Sequence, residues 1–289
     1  LLDRGGRNTF LQGDVGRDVA GEELVERPGE SLLVWTTTPW TLPANLAIAL
    51  HPEYVYAAVE AENGDVLIVA RELVETCMDA FGYSDVSIIS EIPADVLEGT
   101  TCLHPIYDRD SMVVLGSHVT LDAGTGCVHT APGHGREDYE VGLAYGLDVY
   151  SPVDDNGRFT DDVEFFRGQF VFDANKNINK KLDEIGAMVA EDSIEHSYPH
   201  CWRCKQPVIF RATPQWFISM DKTGLRRDSL ACIDTVTWIP HWGRDRIYGM
   251  IENRPDWCVS RQRAWGVPIT VFYCQDCEAI LLDQKIMEE

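Results

Sequence analysis

Residues 124–139 constrain this chain more than any other stretch, because they place His129 and Asp138 among closely spaced glycines. Cys127–Thr130 predicts a short strand that follows a glycine turn, and residues 136–145 have helical spacing after a loop. Asp138 is therefore expected in the first turn of a helix, where free backbone N–H groups and the helix dipole favour an ionised carboxylate. With His129 at the end of the preceding strand, the stretch predicts a pocket for a small cationic group.

The same residues also have a purely structural interpretation. Asp138 could cap the helix, and His129 and His134 could be loop histidines with ordinary hydrogen-bond partners. The stretch by itself does not favour one interpretation over the other.

A second motif, residues 35–45, reads Trp-Thr-Thr-Thr-Pro-Trp-Thr-Leu-Pro-Ala-Asn. Thr36, Thr37 and Thr38 are predicted to leave a strand over residues 31–38, which the following proline ends. Their hydroxyls can donate hydrogen bonds and their methyl groups can form walls, which suits a site that holds an ester and measures a small aliphatic group. The alternative is an ordinary β-strand, since threonine is a strand former.

Two Cys-x-x-Cys pairs, Cys201/Cys204 and Cys274/Cys277, each predict a zinc knuckle. Two thiolates at this spacing can bind one tetrahedral zinc ion, which needs four ligands in all. Redox chemistry is the weaker interpretation, because neither pair opens a helix after a strand. The odd total of nine cysteines favours a reducing compartment over a disulfide framework. The remaining five are predicted to be buried small hydrophobes: Cys77, Cys102, Cys127, Cys232 and Cys258.

The formal net charge of −23 is unevenly distributed along the chain. Residues 1–195 hold 12 Lys and Arg against 36 Asp and Glu, a net of −24, whereas residues 196–289 hold 12 against 11, a net of +1. The acidic part should repel a phosphate backbone, so composition alone argues against a nucleic-acid binder. Only the Arg-rich residues 203–263 carry positive charge that could attract the phosphates of a nucleic acid.

Many short strands and few helices predict an α+β fold, with a β-barrel-rich domain over residues 1–195. Residues 196–250 are expected to form a zinc-knuckle and return segment. Two buried-type strands predicted at residues 256–260 and 269–272, on either side of an Arg-rich loop, indicate part of a Rossmann-like α/β domain over residues 251–289. Further predicted elements are a hairpin through Asn63 and Gly64, helices over residues 71–81, 175–185 and 242–251, and strands over residues 86–89, 112–115 and 208–212.

No run approaches the roughly 18 apolar residues of a membrane span, and no signal segment opens the chain. A start at Leu1 and an end inside a helical pattern lead us to expect a piece of a longer protein. We expect that protein in the cytoplasm.

Several separate motifs resemble isoleucyl-tRNA synthetases, in the order that this family has them. The segments that carry the resemblance are residues 36–45 and 124–139, typical of the editing domain, and residues 198–204, 210–217 and 252–266, typical of the return to the catalytic domain. The related valyl and leucyl enzymes usually carry Arg where this chain has Thr38. The isoleucyl family is therefore the better match.

The resemblance implies hydrolysis of the ester that joins valine to isoleucine-specific tRNA, and of valyl-adenylate. The parent enzyme would ligate isoleucine to that tRNA with ATP and Mg²⁺. At matching positions, Asp138 holds the α-ammonium of the misattached amino acid and His129 lies beside its side chain. The implied catalytic residues are Asp138, His129, Thr37 and Thr38, and the implied substrate-binding residues are Thr36, Trp40, Asn45 and His134.

The resemblance also implies that Cys201/Cys204 binds zinc with an earlier cysteine pair and Cys274/Cys277 with a later one; one shared four-cysteine site is the alternative. The expected partner is the acceptor end of tRNA(Ile) carrying valine, with no membrane contact and a monomeric protein. Other functions stay open. They are the editing region of a valyl- or leucyl-tRNA synthetase, a non-catalytic module that docks the tRNA end, and a zinc-stabilised interaction domain.

Overall fold

The computed structural model describes residues 30–191, 197–261, 269, 271–277, 279–283 and 285. The chain divides into two compact units, Leu1–Ala212 and Thr213–Glu289, which we describe separately. Among the described residues, no helix is long and apolar enough to cross a membrane.

The first unit combines short strands with a few helices. Its strands are β1 (Glu30–Leu32), β2 (Ala47–Leu50), β3 (Val55–Ala61), β4 (Val66–Ala70), β5 (Val86–Pro93), β6 (Thr101–Leu103), β7 (Asp110–Leu115) and β8 (Cys127–Thr130). Its α-helices are α1 (Val74–Phe81), α2 (Ala94–Leu97), α3 (Arg136–Ala144) and α4 (Val171–Glu184), and two 3-10 helices span Pro39–Ala44 and Arg71–Leu73.

The strands form two mixed four-stranded sheets, with strand orders β1-β4-β3-β5 and β6-β7-β2-β8. β1 is parallel to β4 and β2 is parallel to β7, while the other pairs are antiparallel. Both sheets are open, so the predicted barrel is wrong for the described residues. Short strands are common to barrels and open sheets, and the sequence pattern marks where strands occur but not which strands become edges.

The hairpin predicted through Asn63 and Gly64 is confirmed as β3–β4. Gly64 has φ +83°, a left-handed conformation that glycine adopts without a steric penalty. Asn63 Oδ1 accepts a 3.1 Å hydrogen bond from the Asp65 N–H, which stabilises the turn. Side chains from this hairpin, together with those of β1, β2 and α1, form the main buried cluster, which includes Leu32, Tyr56, Leu67, Ile68 and Met78.

A second buried cluster fixes the threonine segment. Trp40 and Leu42, both on the first 3-10 helix, pack with Val171 and Ile178 of α4. The Trp40 N–H also donates a 2.9 Å hydrogen bond to Asn175 Oδ1. The helix predicted over residues 175–185 begins at Val171, because the apolar residues at its start pack into this cluster.

In the first unit, two predicted strands are not found as predicted. The strand expected over residues 31–38 ends at Leu32, and Trp35 forms only an isolated bridge to Val128. The threonines that follow leave the sheet because the Thr38 N–H bonds to Thr36 Oγ1 at 3.0 Å rather than to a neighbouring strand. Residues 208–212 form no strand either, although the Ala212 N–H donates to the Gly133 carbonyl at 2.7 Å.

The second unit has α5 (Leu225–Thr235), α6 (Gly243–Glu252) and four two-residue strands: β9 (Phe217–Ile218), β10 (Trp257–Cys258), β11 (Phe272–Tyr273) and β12 (Ile280–Leu281). β10 pairs with β9 and β12 with β11, both antiparallel. Strands occur near residues 257 and 272, as predicted, but the prediction that they are buried is wrong, since Trp257 is 50% exposed and Phe272 52% exposed. The Rossmann-like domain stays a prediction.

Candidate active site

A pocket of about 240 Å³ lies in the first unit, between the threonine segment, the end of β8 and the loop before α3. A third wall comes from the segment around residue 198. Ten residues line the pocket: Thr36, Thr38, Trp40, Thr41, His129, His134, Asp138, Tyr198, Pro199 and Phe210. The structure thus brings together residues from both motifs and from a part of the chain about 60 residues further on.

Two glycines, one on each side of β8, allow the backbone to pass close to neighbouring residues. A Cβ atom at Gly133 would lie 2.1 Å from the Tyr150 carbonyl oxygen, so only glycine fits there. Gly126, at φ +76°, would place a Cβ atom 2.4 Å from that of Ala70. The chain turns at once after the strand, with a 2.8 Å hydrogen bond from the His134 N–H to the Ala131 carbonyl. This turn places His129 and His134 on the same pocket.

Asp138 lies in the first turn of α3, as predicted. Its Oδ2 accepts a 2.8 Å hydrogen bond from the Ala131 N–H, which belongs to the loop before the helix. Burial raises the pKa of the Asp138 carboxyl, while the Ala131 N–H and the nearby His118 act in the opposite direction. A half-buried carboxylate that costs energy to desolvate gains from a cation placed beside it.

His129 is 6% exposed and uses both ring nitrogens inside the protein. Asn45 Nδ2 donates to Nδ1 at 2.9 Å, so Nδ1 is the acceptor and the proton sits on Nε2. Nε2 then donates to Thr41 Oγ1 at 2.8 Å. Burial lowers the pKa of His129 to about 3, with His104 and His134 contributing. His129 is therefore a neutral, rigid wall whose nitrogens are already occupied.

Asn45, predicted to bind substrate, is fully buried and does not line the pocket. Its amide donates to the Ala47 carbonyl at 2.8 Å and accepts from the Ser111 hydroxyl at 2.7 Å. Asn45 therefore supports His129 from behind.

The three predicted threonines divide between two neighbouring pockets. Thr36 and Thr38 line the first, whereas Thr37 and Thr38 line a second pocket of about 290 Å³ that also contacts Phe172 and Asn175. The Thr37 and Thr38 hydroxyls lie 3.3 Å apart and share a hydrogen bond. Thr36 Oγ1 accepts from the Thr38 N–H, so its own hydrogen remains available to donate.

Trp40 and His134 form an edge-to-face pair on one side of the pocket, with ring centroids 4.9 Å apart. His134 Nδ1 donates to the Phe210 carbonyl at 3.0 Å, which leaves Nε2 as a buried acceptor with no hydrogen-bond partner among the described residues. Burial lowers the pKa of His134, and the nearby Arg211 lowers it further. Trp40 Nε1, a buried donor, has no partner there either.

Four lining residues were not predicted: Thr41, Tyr198, Pro199 and Phe210. Thr41 lies inside the threonine motif, and its position opposite His129 depends on the 3-10 turn that begins at Pro39. The other three belong to the segment expected to lead away from this domain. A local sequence pattern holds no signal for that return contact.

The cysteine pairs predicted to bind zinc lie in different units. In the first unit, the Cys201 N–H donates to the Gln206 carbonyl and the Cys201 carbonyl accepts from the Lys205 N–H, both at 2.8 Å, which makes a tight knuckle. Cys201 is half-buried, whereas Cys204 in the same knuckle is exposed. The backbone therefore turns between the two cysteines, and one of the two thiols faces solvent.

The pair in the second unit, Cys274 and Cys277, is exposed at both positions. N–H groups of Asp276 and Cys277 point at the Cys274 thiol and lower its pKa. Each of the two pairs thus offers two thiol ligands.

In the part of the chain that the structure describes, neither pair is surrounded by a complete set of zinc ligands. Among the described residues no group of three or more His, Cys, Asp or Glu side chains could hold a metal ion. Zinc at Cys201/Cys204 and at Cys274/Cys277 stays a prediction, because tetrahedral zinc needs four ligands and each pair supplies two. A Cys-x-x-Cys pattern identifies two ligands, and it holds no signal for where the other two lie.

The five other cysteines are only partly as predicted. Cys77, Cys102 and Cys127 are buried, and burial raises the pKa of each thiol. Cys232 is exposed and Cys258 is only half-buried, so the prediction is wrong for these two. They lie in the second unit, where α6 has no buried residue and α5 has only Ile233.

Solved structures similar to this chain include editing domains of leucyl-tRNA synthetases. The cytosolic enzyme of P. falciparum matches with a TM-score of 0.47 and 12% identity, over 57% of this chain and 80% of that one. The P. knowlesi domain matches with a TM-score of 0.44 and 12% identity, over 57% and 84% of the two chains.

Sequence comparisons cover nearly the whole chain. It is 60% identical over 281 residues to an isoleucine--tRNA ligase of Geobacter sulfurreducens, a match that covers 96% of this chain and 30% of that protein. It is 56% identical over 271 residues to an isoleucine--tRNA ligase of Syntrophotalea carbinolica, covering 94% and 28%. The chain thus spans less than a third of the length of these relatives. The family described as tRNA synthetases class I (I, L, M and V) matches residues 21–289, and the chain belongs to this family.

Proposed function

We propose that the first unit hydrolyses the ester between valine and tRNA(Ile), and also valyl-adenylate, as the editing part of an isoleucyl-tRNA synthetase. The observation that carries the proposal is the pocket itself. It joins one half-buried carboxylate, Asp138, to a neutral imidazole, His129, whose nitrogens are both occupied. Such a site can hold an ammonium group and limit the size of the side chain attached next to it.

The need for such a site is energetic. One methylene in a hydrophobic pocket discriminates by only about 1–3 kcal/mol, a limit for which isoleucyl-tRNA synthetases are themselves the standard example. A synthetic site that accepts isoleucine therefore admits some valine, and a second, hydrolytic site must remove it.

The reaction assigns a role to each wall. Asp138 binds the α-ammonium and so fixes the ester in the pocket. Water attacks the carbonyl carbon, the bond from that carbon to the ribose oxygen breaks, and the ribose oxygen takes a proton, which yields valine and free tRNA. The Thr36 and Thr38 hydroxyls, which line the pocket, donate to the carbonyl oxygen as negative charge develops on it. Thr37 supports Thr38 through their shared hydrogen bond.

The remaining site residues bind or position. Trp40 and His134 form the floor beside the amino acid, and Asn45 holds His129. The return segment contributes Tyr198 and Phe210 to the pocket wall. The partner is the acceptor end of tRNA(Ile), bound by a monomer in the cytoplasm.

For the cofactors, we propose zinc at Cys201/Cys204 and at Cys274/Cys277, each pair completed by ligands beyond these four residues. The knuckle at Cys201 and the N–H groups that face the Cys274 thiol suit thiolate ligands. For the whole protein, we propose ligation of isoleucine to tRNA(Ile) with ATP and Mg²⁺, as in the relatives named isoleucine--tRNA ligase.

A deacylation assay tests the proposed function. The full chain is incubated with valyl-tRNA(Ile) and, separately, with isoleucyl-tRNA(Ile), and release of the amino acid is followed over time. We expect faster release of valine than in buffer alone, and little release of isoleucine. Binding of tRNA without faster hydrolysis of either ester would instead identify a docking module and overturn the proposal.

A further inference from the structure

Four hydrogen bonds run in one direction from β7 to the threonine segment. The Ser111 hydroxyl donates to Asn45 Oδ1 at 2.7 Å, and Asn45 Nδ2 donates to His129 Nδ1 at 2.9 Å. His129 Nε2 lies 2.8 Å from Thr41 Oγ1, which in turn donates to the Thr38 carbonyl at 2.8 Å. This series of bonds, the Ser111 chain, connects two pocket walls through the interior.

The direction of every bond in the Ser111 chain follows from its first members. Asn45 Nδ2 also donates to the Ala47 carbonyl at 2.8 Å, so the amide nitrogen must lie on that side and the amide oxygen on the side of Ser111. His129 Nδ1 is consequently an acceptor, and its proton is on Nε2. Thr41 Oγ1 accepts that proton, which directs its own hydrogen to Thr38.

We propose that Ser111 is a positioning residue for substrate size, because its hydroxyl holds the oxygen end of the Asn45 amide and thereby the position of the His129 ring. This inference rests on the proposed function, in which His129 limits the size of the bound side chain. Ser111 is fully buried on β7 and does not line the pocket, so it acts only through Asn45.

Loss of the Ser111 hydroxyl has a defined consequence. Asn45 Oδ1 would then be a buried acceptor without a partner, which costs free energy until the amide shifts or water enters. The Ala47 carbonyl still keeps the amide nitrogen on its own side, so the amide does not reverse and the proton of His129 stays on Nε2. The amide loses the contact that holds its oxygen end, and the His129 ring that it supports is less firmly held.

A network of buried polar groups is ordinary in a core, because buried donors and acceptors need partners. The Ser111 chain differs in where it ends. His129, Thr41 and Thr38 all line the pocket, whereas Ser111 and Asn45 do not. Another buried hydroxyl of the described residues has a different partner: Thr100 Oγ1 donates to the Leu97 carbonyl at 2.7 Å, and Thr100 does not line the pocket.

The test compares Ser111→Ala with Thr100→Val, which removes a buried hydroxyl that is not connected to His129. In the full chain, the ratio of isoleucyl-tRNA(Ile) to valyl-tRNA(Ile) hydrolysis should rise about threefold to tenfold in Ser111→Ala, the equivalent of one hydrogen bond, and stay unchanged in Thr100→Val. Thr41→Val interrupts the same chain at its other end and should raise the ratio in the same way.

A second measurement does not depend on hydrolysis. Nitrogen-15 NMR of the histidine ring reports which nitrogen carries the proton, and the His129 signal should show Nε2–H in the parent and in Thr100→Val. In Ser111→Ala the same tautomer should remain, with shifted or broadened ring signals, because the Asn45 amide no longer holds Nδ1 in one position. An unchanged ring signal together with an unchanged hydrolysis ratio would overturn the proposal for Ser111. Failure of the parent chain to hydrolyse either ester would overturn the proposed function, and the ring signal would still test the positioning.

Discussion

The backbone N–H of Ala131 donates a 2.8 Å hydrogen bond to Asp138 Oδ2. Ala131 directly follows β8, so the carboxylate that lines the pocket is tied to the end of the strand that carries His129. The bond sets the distance between the group proposed to bind the ammonium and the wall proposed to measure the side chain. A substitution at Asp138 or His129 can therefore affect both the binding of the ammonium group and the position of the neighbouring wall.

Replacement of Asp138 by Asn should abolish most hydrolysis of valyl-tRNA(Ile) while leaving the fold intact. The Asn oxygen can still accept from Ala131, but the charge that attracts the ammonium is gone. Because burial raises the pKa of Asp138, the folded state disfavours its charged form at neutral pH. Urea unfolding at pH 7 should thus give Asp138→Asn a stability at least equal to that of the parent.

The matched control for Asp138 is Glu137→Gln, which removes an exposed carboxylate from the same helical turn. It should hydrolyse valyl-tRNA(Ile) at the parental rate. A folded Asp138→Asn protein with parental activity would show that the ammonium binds elsewhere.

The first unit should begin to lose stability as the pH falls below about 6.5, which is well above the pH range in which most carboxylates titrate. Burial lowers the pKa of both His104 and His129 to about 3. The unfolded chain takes up a proton on each below about pH 6.5, whereas the folded chain does not. Stability is therefore complete above about pH 6.5 and is lost as the pH falls toward 3. Well below pH 6.5 each histidine should contribute a loss of about 1.4 kcal/mol per pH unit.

Urea unfolding at several values between pH 7 and pH 5 measures this slope, before most carboxylates titrate. His104 donates from Nε2 to the Leu42 carbonyl at 2.9 Å, a bond that a glutamine side chain can imitate. His104→Gln should reduce the dependence of the unfolding free energy on pH by about 1.4 kcal/mol per pH unit, the contribution of one proton. A parent protein with equal stability at pH 7 and pH 5 would contradict the neutral, buried state of these rings.

Local patterns predicted the parts of the fold that local contacts stabilise. The β3–β4 hairpin follows from Asn63-Gly64, β8 from the glycine turn before Cys127, and the first turn of α3 from the residues after Gly135. Strand neighbours and sheet edges depend on contacts distant in sequence. This is why a barrel was expected where two open sheets occur.

The site was predictable in its residues more than in their roles. His129 and Asp138 line one pocket as expected from their motif. The sequence could not show that Asn45 lies behind His129, since that depends on β2 and β8 being neighbours and on Ser111 from β7. It also held no signal that Tyr198 and Phe210 return to close the pocket.

Zinc should bind the chain weakly and below one ion per cysteine pair. Each pair supplies two thiolates, and a two-thiolate site completed by water holds metal less tightly than a closed four-ligand site. Metal analysis after dialysis against a weak chelator should show partial occupancy. Cys204→Ser and Cys274→Ser should each remove only part of it, while Cys232→Ser, at an exposed lone cysteine, should remove none. One tightly bound zinc that either substitution eliminates would identify a shared four-cysteine site.

The size limit at His129 gives the sharpest prediction. Hydrophobic burial favours binding of isoleucine, whereas the proposed function requires that the pocket prefer valine. Burial favours isoleucine over valine by about 0.8 kcal/mol for the extra methylene. The pocket must therefore reject isoleucine by steric overlap, and forcing a methylene into a packed site costs about 1–3 kcal/mol. A ring that is 6% exposed and bonded at both nitrogens is stiff enough to impose that cost.

His129→Ala should therefore open the pocket to isoleucine. Hydrolysis of isoleucyl-tRNA(Ile) should rise relative to that of valyl-tRNA(Ile), with Asp138 still in place to bind the ammonium. The substitution leaves Asn45 and Thr41 each without one partner, so we also expect a loss of about 2–4 kcal/mol in the free energy of unfolding.

The control for this loss is His104→Ala, which removes a ring that is equally buried and neutral but does not line the pocket. It should lower stability by a similar amount and leave the ratio of the two hydrolysis rates unchanged. If both rates fall together in His129→Ala and the ratio is that of the parent, the size limit lies on the threonine wall. His129 would then act on Thr38 only through Thr41, whose hydroxyl contacts the Thr38 carbonyl.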